Sequence, residues 1–217
     1  GLGDVYKRQV FYYFKVAKKG FFSEKIEWVL STKDNYMNGL YHGKHVRYRD
    51  DGTVSSESNY KNGELDGEQY TYEYPNGRKE VTGLETYKDG LLHGKYETWV
   101  IDTDLTTGKF VKKRLQSEGH YVNDEKDGVW YQELWGMVKE KKTYKNGERH
   151  GRWNNYCNFE HVLRSVDIYD HGKKVGEEMI FNNYDDTWEK LYQDGNGKDL
   201  KKEYYDSDSN LVKTEEY

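Results

Sequence analysis

The sequence predicts an all-β fold, an elongated antiparallel β-hairpin repeat array that forms a twisted meander ribbon. Three observations lead to this prediction. A short unit with a leading tyrosine recurs along the chain, Asn-Gly and Asp-Gly pairs recur inside it, and aromatic, β-branched and charged residues follow each turn. Because the 217 residues include only one proline, the strands between the turns are expected to be uninterrupted.

Seven copies of this unit account for most of the chain. Their first residues are Tyr36, Tyr60, Tyr87, Tyr121, Tyr144, Tyr169 and Tyr192. Successive copies begin 23 to 34 residues apart, a spacing typical of repeat proteins. Each hairpin is therefore expected to pack on its neighbours along the chain instead of entering one central core.

Each unit predicts two strands and two turns. The best-preserved copies read YKNGELDG, YKDGLLHG and YKNGERHG. Their Asn-Gly or Asp-Gly pair predicts a type I′ hairpin turn, in which both central residues have positive φ. A second glycine then begins the next strand, at Gly43, Gly67, Gly94, Gly128, Gly151 and Gly176. The strands that follow mix aromatic residues with charges, as half-exposed strands do.

Tyrosine and tryptophan supply most of the predicted apolar packing. The chain has 22 tyrosines and 6 tryptophans, although 34% of its residues are charged. Each aromatic ring buries roughly 150–250 Å², and a tyrosine keeps its hydroxyl at the boundary with water. A thin sheet can therefore be stable without a deep aliphatic core.

The domain organisation follows from the repeat. Residues 1–9 (GLGDVYKRQ) do not fit the unit and resemble a translated sequencing-adapter scar, so we expect a non-native or disordered segment. Residues 10–35 are interpreted as a partial repeat, and residues 36–217 as seven repeats in one array. The third repeat carries a longer second hairpin at 100–115, either a tolerated extension or a rim for a partner. In the fourth repeat, Asp124 replaces the turn glycine.

Charge and cysteine content exclude several classes of function. The formal charge is −5, and acidic and basic residues are interleaved, so we expect no nucleic-acid partner. The single cysteine excludes an internal disulfide and a multi-cysteine zinc site. No run approaches the ~18 apolar residues of a membrane-spanning helix. The sequence does not predict a compartment.

The pattern Y-x-[ND]-G-x-x-[HD]-G followed by an aromatic strand resembles the MORN (membrane occupation and recognition nexus) repeat. It is most similar to the bacterial variant found in YwqK-type antitoxin proteins. Val175 and Lys198 replace His or Asp in the last two copies, which depart furthest from the pattern. The resemblance implies an antiparallel β ribbon that serves as a scaffold or binding surface. It also implies lipid binding in some members, and no catalysis inherent to the repeat.

Three clusters of polar residues were weighed as sites, and none predicts a metal, a cofactor or catalysis. The residues before the second glycine recur once per repeat, roughly 10 Å apart, which is too far for one ion. They are predicted to be turn residues, and they are His42, Asp66, His93, Asp127 and His150. Cys157 and His161 flank a turn, but no orienting carboxylate or oxyanion site accompanies them. The segment from Asp206 to Asn210 resembles the start of a calcium loop, yet Leu211 replaces the required glycine, so a hairpin turn is predicted.

An aromatic stripe is the remaining candidate for a binding surface. Its members recur near the strand midpoints, and they are Tyr48, Tyr72, Trp99, Trp130, Trp153 and Tyr156, with Phe181 further along. One interpretation is that these rings form the thin core of the sheet itself. The other is that they line a groove for an extended peptide, a glycan or another strand.

The function predicted from these observations is a non-enzymatic scaffold that binds a protein partner. A carbohydrate-binding repeat module is an alternative, because short Tyr/Trp/Gly hairpins also stack on sugars in cell-wall-binding repeats. An antitoxin-like or membrane-associated adaptor is a further alternative, which the family resemblance suggests.

Overall fold

The computed structural model describes residues 7–19, 24–134, 138–156, 163–182 and 187–217. It is all-β, with 77% of its residues in strands. The described residues contain no α-helix, and a short 3-10 turn spans Pro75–Gly77. Consecutive strands form antiparallel hairpins, so the predicted hairpin repeat array is confirmed.

The strands follow the repeat along the chain. The first ten are β1 (Lys7–Lys19), β2 (Glu24–Met37), β3 (Leu40–Tyr41), β4 (Gly43–Tyr48), β5 (Val54–Lys61), β6 (Glu64–Leu65), β7 (Gly67–Glu73), β8 (Glu80–Lys88), β9 (Leu91–Thr103) and β10 (Phe110–Val122). The remaining nine are β11 (Glu125–Leu134), β12 (Val138–Lys145), β13 (Glu148–Arg149), β14 (Gly151–Tyr156), β15 (Leu163–Asp170), β16 (Lys173–Asn182), β17 (Trp188–Asp194), β18 (Asp199–Tyr205) and β19 (Leu211–Glu216). Strand β1 thus begins inside the segment 1–9.

The chain divides into two compact units. The first comprises Gly1–Gln116 with Tyr121–Asp124, and the second comprises Ser117–His120 with Glu125–Tyr217. In the first unit the strand order is β1-β2-β4-β5-β7-β8-β9-β10. In the second unit β11 pairs with β12, and β14 to β19 follow one another in chain order. Strand neighbours in the sheet are therefore also neighbours in the sequence, as a meander requires.

The repeated turn is of type I′, as predicted. In the first six repeats, the residue two positions after the leading tyrosine has positive φ, and so does the next one, for example Asn62 (51°) with Gly63 (94°). The seventh repeat differs, because the glycine with positive φ in its turn is Gly197 (82°) and not Gly195. His171 (45°) and Gly172 (76°) form the same turn in the sixth repeat. Asp124 replaces the glycine at a φ of 68°. The backbone N–H of Asp124 donates a hydrogen bond to the carbonyl of Leu92 (2.9 Å). In return, Asp124 Oδ1 accepts a hydrogen bond from the Leu92 N–H (2.7 Å).

Backbone hydrogen bonds join each of these turns to the preceding repeat. The N–H three positions after the leading tyrosine donates to the carbonyl five positions after the previous leading tyrosine. The bonds are Gly63 to Tyr41 (2.8 Å), Gly90 to Leu65, Asp124 to Leu92, Gly147 to Lys126 and Gly172 to Arg149 (each 2.9 Å). The interval between turns is thus set by backbone groups, which every amino acid except proline provides.

The two irregular segments are also hairpin turns. In the long hairpin of β9 and β10, the carboxylate of Asp104 accepts hydrogen bonds from the N–H groups of Thr106 (3.1 Å) and Thr107 (2.6 Å). Between β18 and β19, the carboxylate of Asp206 accepts from the N–H groups of Asp208 (3.0 Å) and Asn210 (2.8 Å). The carboxylate is therefore saturated by its own turn, which explains a calcium-like sequence without the calcium-loop glycine.

Candidate binding surface

The leading tyrosine of a repeat packs on one position of the preceding repeat, nine residues after the preceding tyrosine. We call this the inner position, and it is occupied by His45, Gln69, Tyr96, Trp130, Trp153, Glu178 and Lys201. The ring centroids of such pairs lie 5.8 Å apart for His45 and Tyr60, 5.5 Å for Tyr96 and Tyr121, 6.3 Å for Trp130 and Tyr144, and 5.5 Å for Trp153 and Tyr169. The inner position therefore carries the aromatic contacts between repeats.

Both tryptophans at the inner position are buried and held by hydrogen bonds. Trp130 is 5% exposed and Trp153 is 9% exposed. Their indole N–H groups donate to the carbonyls of His120 (3.2 Å) and Thr143 (3.0 Å), respectively. The ring of Trp130 also covers Gly119 so closely that a Cβ there would lie 2.2 Å from it. Only glycine fits beneath this ring, an arrangement known for aromatic residues that cover glycines in sheets.

Where the inner position is polar in the first unit, a polar residue on the adjacent strand pairs with it. His45 Nδ1 lies 2.5 Å from Asp34 Oδ1, and both residues are buried. In the next repeat, Ser58 Oγ donates to Gln69 Oε1 at 2.9 Å. Buried polar groups need such partners, because an unpaired one costs roughly 1–3 kcal/mol.

The sixth repeat places a charged network at the inner position. Glu178 is 4% exposed, and its Oε2 lies 2.8 Å from Arg152 Nη2 and 2.8 Å from Lys190 Nζ. Burial opposes ionisation of Glu178, but the hydrogen bonds from Arg152 and Lys190 outweigh it and lower the pKa of the carboxyl group. Glu178 is therefore ionised in the folded protein at neutral pH.

The predicted aromatic stripe is largely covered by the protein itself. Tyr72, Trp130 and Trp153 are buried, while Tyr48, Trp99 and Tyr156 are half-buried. Cationic side chains lie over four of these rings: Lys79 over Tyr72 (3.7 Å), Lys113 over Trp99 (4.6 Å), Lys126 over Trp130 (4.1 Å) and Arg149 over Trp153 (4.6 Å). Phe181 lies in β16, and Cys157 and His161 lie outside the described residues. A ligand for these four rings would have to displace the cations.

A set of three other rings and one isoleucine side chain is exposed on the hairpin formed by β1 and β2. We call it the aromatic face and define it as Phe11 (46% exposed), Tyr13 (55%), Ile26 (63%) and Trp28 (64%). Phe11 and Tyr13 alternate along β1, and Lys15, the next residue in that alternation, is paired with Trp28. The aromatic face therefore combines large exposed apolar side chains on one side of a hairpin.

Basic residues lie within and beside the aromatic face. Lys15 Nζ lies 5.0 Å from the centre of the Trp28 ring, and Lys33 Nζ lies 5.7 Å from that of Phe11. Lys7, Arg8 and Lys15 are exposed, and β1 contains no acidic residue. This local charge differs from the net charge of −5 for the chain. The sequence analysis missed this surface because residues 10–35 were treated only as an incomplete repeat, although the run VFYYF was the available signal.

Strand β1 is the first strand in the sheet order of the described residues. In the sheet order of the described residues, its only neighbour is β2. It pairs with β2 over its full length, from Lys7 opposite Met37 to Lys19 opposite Glu24. The opposite edge of β1 therefore presents backbone N–H and C=O groups that another strand can pair with.

The predicted turn residues contact the turn of the following repeat. His42 Nδ1 accepts a hydrogen bond from the N–H of Asn62 (3.4 Å), and Asp127 Oδ1 accepts one from the N–H of Asn146 (3.4 Å). His93 Nδ1 lies 3.2 Å from Asn123 Oδ1. His150 instead faces a second histidine, His171, with ring centroids 5.4 Å apart. The residues before the second glycine thus form contacts between successive turns. His150 is chemically distinct among them, because it faces another histidine.

A scan against protein-family models found no family that matches, and a search of curated proteins found no match. Among the described residues, no helix has the length and apolar character needed to cross a membrane.

Proposed function

We propose that this protein is a non-enzymatic, MORN-like repeat scaffold that binds a protein partner through the aromatic face of β1 and β2. The observation that carries the proposal is the exposure of four large apolar side chains, Phe11, Tyr13, Ile26 and Trp28, on one hairpin. Contiguous exposed apolar patches with a polar rim are typical of protein interaction sites. Aromatic residues are also enriched at the centre of such interfaces.

The partner segment is expected to be extended, with alternating acidic and apolar residues. The edge of β1 away from β2 has no strand partner among the described residues. An added strand there would gain affinity from backbone hydrogen bonds and specificity from alternate side chains. Strand β1 exposes the basic side chains of Lys7, Arg8 and Lys15 and contains no acidic residue. This positive charge favours carboxylates in the partner. Apolar side chains of the partner would lie against Phe11 and Trp28.

The MORN-like assignment is supported by features of the repeat itself. A leading tyrosine, a type I′ turn and a second glycine recur, and Gly67 (107°) and Gly94 (118°) have the positive φ that favours glycine. Four leading tyrosines pack on the preceding inner position, as Tyr169 does on Trp153. These features explain why the pattern needs tyrosine and glycine, and they support the proposal that the repeat is a scaffold.

The proposal can be tested with a displayed library of random 12-residue peptides. Selection on the parent chain is expected to enrich peptides that alternate acidic and apolar residues. Binding of an enriched peptide should then be lost in Phe11→Ser and Trp28→Ser. Val212→Ser is the matched control, because Val212 is 66% exposed on the terminal strand β19. Circular dichroism and thermal unfolding of each variant establish that its fold is unchanged.

Two other results would redirect the proposal. If no peptide is enriched, or if enriched peptides bind Trp28→Ser as well as the parent, the aromatic face is not a protein-binding site. If a glycan array gives binding that depends on Trp28, the carbohydrate-binding alternative is favoured, since this exposed indole can stack on a sugar whereas Trp130 is buried. Salt-sensitive retention on anionic vesicles would favour a membrane-associated adaptor.

A further inference from the structure

Three metal-binding side chains meet at the turns of the fifth and sixth repeats. His150 belongs to the fifth repeat. In the sixth repeat, Asp170 is the last residue of β15 and His171 lies in the turn between β15 and β16. His150 Nδ1 lies 3.5 Å from Asp170 Oδ1, and His171 Nδ1 lies 2.7 Å from the same oxygen. One donor atom from each residue lies within 4.8 Å of the other two, and among the described residues this is the one such group.

The backbone holds these two turns in register. The N–H of Gly172 donates to the carbonyl of Arg149 (2.9 Å), which joins the residue after His171 to the residue before His150. The N–H of His150 in turn donates to the carbonyl of Thr143 (2.9 Å). The backbones of the two turns are therefore held together by hydrogen bonds that do not involve the side chains of His150, Asp170 or His171, which leaves those side chains available to an ion.

We propose that His150, Asp170 and His171 bind a divalent transition-metal ion, with Zn²⁺ as the best match. Two imidazole nitrogens and one carboxylate oxygen are a borderline-soft donor set that suits Zn²⁺, whereas Ca²⁺ and Mg²⁺ favour oxygen ligands. Tetrahedral ligands at 2.0–2.2 Å from Zn²⁺ lie about 3.3 Å from one another. The observed 3.5 Å and 2.7 Å separations lie on either side of this value, and the two histidine donors lie within 4.8 Å of each other. Rotation of these side chains can therefore bring the three donors to one ion.

The site is open to solvent. The side chains of Asp170 and His171 are 59% and 58% exposed, and that of His150 is 34% exposed. An ion can therefore enter without movement of the backbone. Three protein ligands leave a fourth position for water or for a side chain of a partner. Because its ligands come from two repeats, the bound ion would also link these repeats through their side chains.

The other repeats show why the site is specific to this pair. In three other repeats, an asparagine occupies the place that His171 has beside His150. Asn62 lies beside His42, Asn123 beside His93, and Asn146 beside Asp127. An asparagine amide is a poor ligand for Zn²⁺. Equivalent positions of successive repeats are too far apart to share an ion, as the spacing predicts. The proposed site instead combines non-equivalent positions, His150 of one turn with Asp170 and His171 of the next.

Calorimetric titration of the intact chain with Zn²⁺ alone tests this proposal. We expect one saturable site, and His171→Asn or Asp170→Asn should weaken it at least about tenfold, since loss of even an outer-shell partner costs roughly 10–100-fold. His171→Asn is compatible with the turn, because Asn38, Asn62 and Asn146 adopt the same positive φ at this position. His93→Asn is the matched control and should leave Zn²⁺ binding unchanged.

A gain-of-site variant makes the test stricter. Lys61→Asp combined with Asn62→His would give His42 the same two neighbours that His150 has. This double variant is expected to bind a second equivalent of Zn²⁺, and its melting temperature should rise with Zn²⁺ more than that of the parent. The proposal is overturned if the parent shows no saturable binding, or if binding is unchanged in both His171→Asn and Asp170→Asn.

Discussion

The hairpin of β1 and β2 and the hairpins of β11 to β15 are both rich in aromatic residues, yet they use them in opposite ways. Trp28 in the first region is 64% exposed, whereas Trp130 and Trp153 in the second are 5% and 9% exposed. The difference follows from position in the repeat. Trp130 and Trp153 occupy the inner position, where the next leading tyrosine covers them, and Trp28 does not. Residue type alone thus predicts neither packing nor binding in this array.

The cations beside these rings differ in the same way. Lys15 is exposed where it contacts Trp28. Lys126 is half-buried over Trp130, and burial, together with the positive charge of Lys142, lowers its pKa. A cation over a packed ring is therefore part of the sheet, while a cation beside an exposed ring is available to a partner.

The largest expected effect is on stability at the inner position. Trp153→Ala should lower the free energy of unfolding by about 3–5 kcal/mol, because it removes a buried ring that contacts both Tyr144 and Tyr169. Trp28→Ala should change it by less than about 0.5 kcal/mol, as exposed substitutions do. Urea unfolding followed by circular dichroism measures both values. Equal losses in the two variants would show that Trp28 is also a packing residue and would break the comparison.

A second prediction concerns the polar occupants of the inner position. Asp34→Ala should cost roughly 1–3 kcal/mol, since it leaves the buried Nδ1 of His45 without its polar partner. Asp34→Ser combined with His45→Gln copies the pair formed by Ser58 and Gln69 and should recover most of this loss in the same unfolding assay. If the double variant is no more stable than Asp34→Ala, the inner position does not accept one matched pair in place of another.

The smallest expected effect is pH-dependent and lies in the last repeats. Hydrogen bonds from Lys201 and then from Tyr192 and Tyr205 lower the pKa of Glu203 from 4.5 to about 2. The resulting stabilisation is present above pH 4.5 and is lost as the pH falls from 4.5 to about 2.

The corresponding measurement compares urea midpoints between pH 7 and pH 2. Glu203→Gln should be less stable than the parent at pH 7, and the difference should shrink as the pH falls below 4.5. A constant difference over this range would show that Glu203 acts through packing alone. In that case inner positions with an aromatic residue would stabilise the sheet, whereas the charge of Lys201 at its inner position would not.

The turns could be predicted from sequence because their chemistry is local. Asn-Gly requires positive φ at both residues, and Asn62 and Gly63 have it. Asp124 could be recognised as a stand-in for glycine, since a short polar side chain tolerates this conformation. The additional hydrogen bond that Asp124 accepts from the Leu92 N–H could not be predicted, because the two residues are 32 positions apart and belong to different repeats.

The inner-position pairs could not be predicted from one repeat at a time. Asp34 with His45, Ser58 with Gln69, and Gly119 with Trp130 share no residue type. What they share is complementarity of charge, hydrogen bonding or volume across two strands, which becomes visible only once the register is known. The aromatic face was missed for a related reason, since exposure depends on which strands cover a ring and not on the ring itself.

The backbone bonds between successive turns have a consequence for how such a chain can change. Donor and acceptor are main-chain groups, as in Gly147 to Lys126 and Gly172 to Arg149, so the junction places little demand on side-chain identity. A whole hairpin can then be duplicated, removed or exchanged as a cassette, with only the adjoining inner position to be matched. Length and surface chemistry can diverge independently in such a protein, and recombination between its own repeats is a direct route to both.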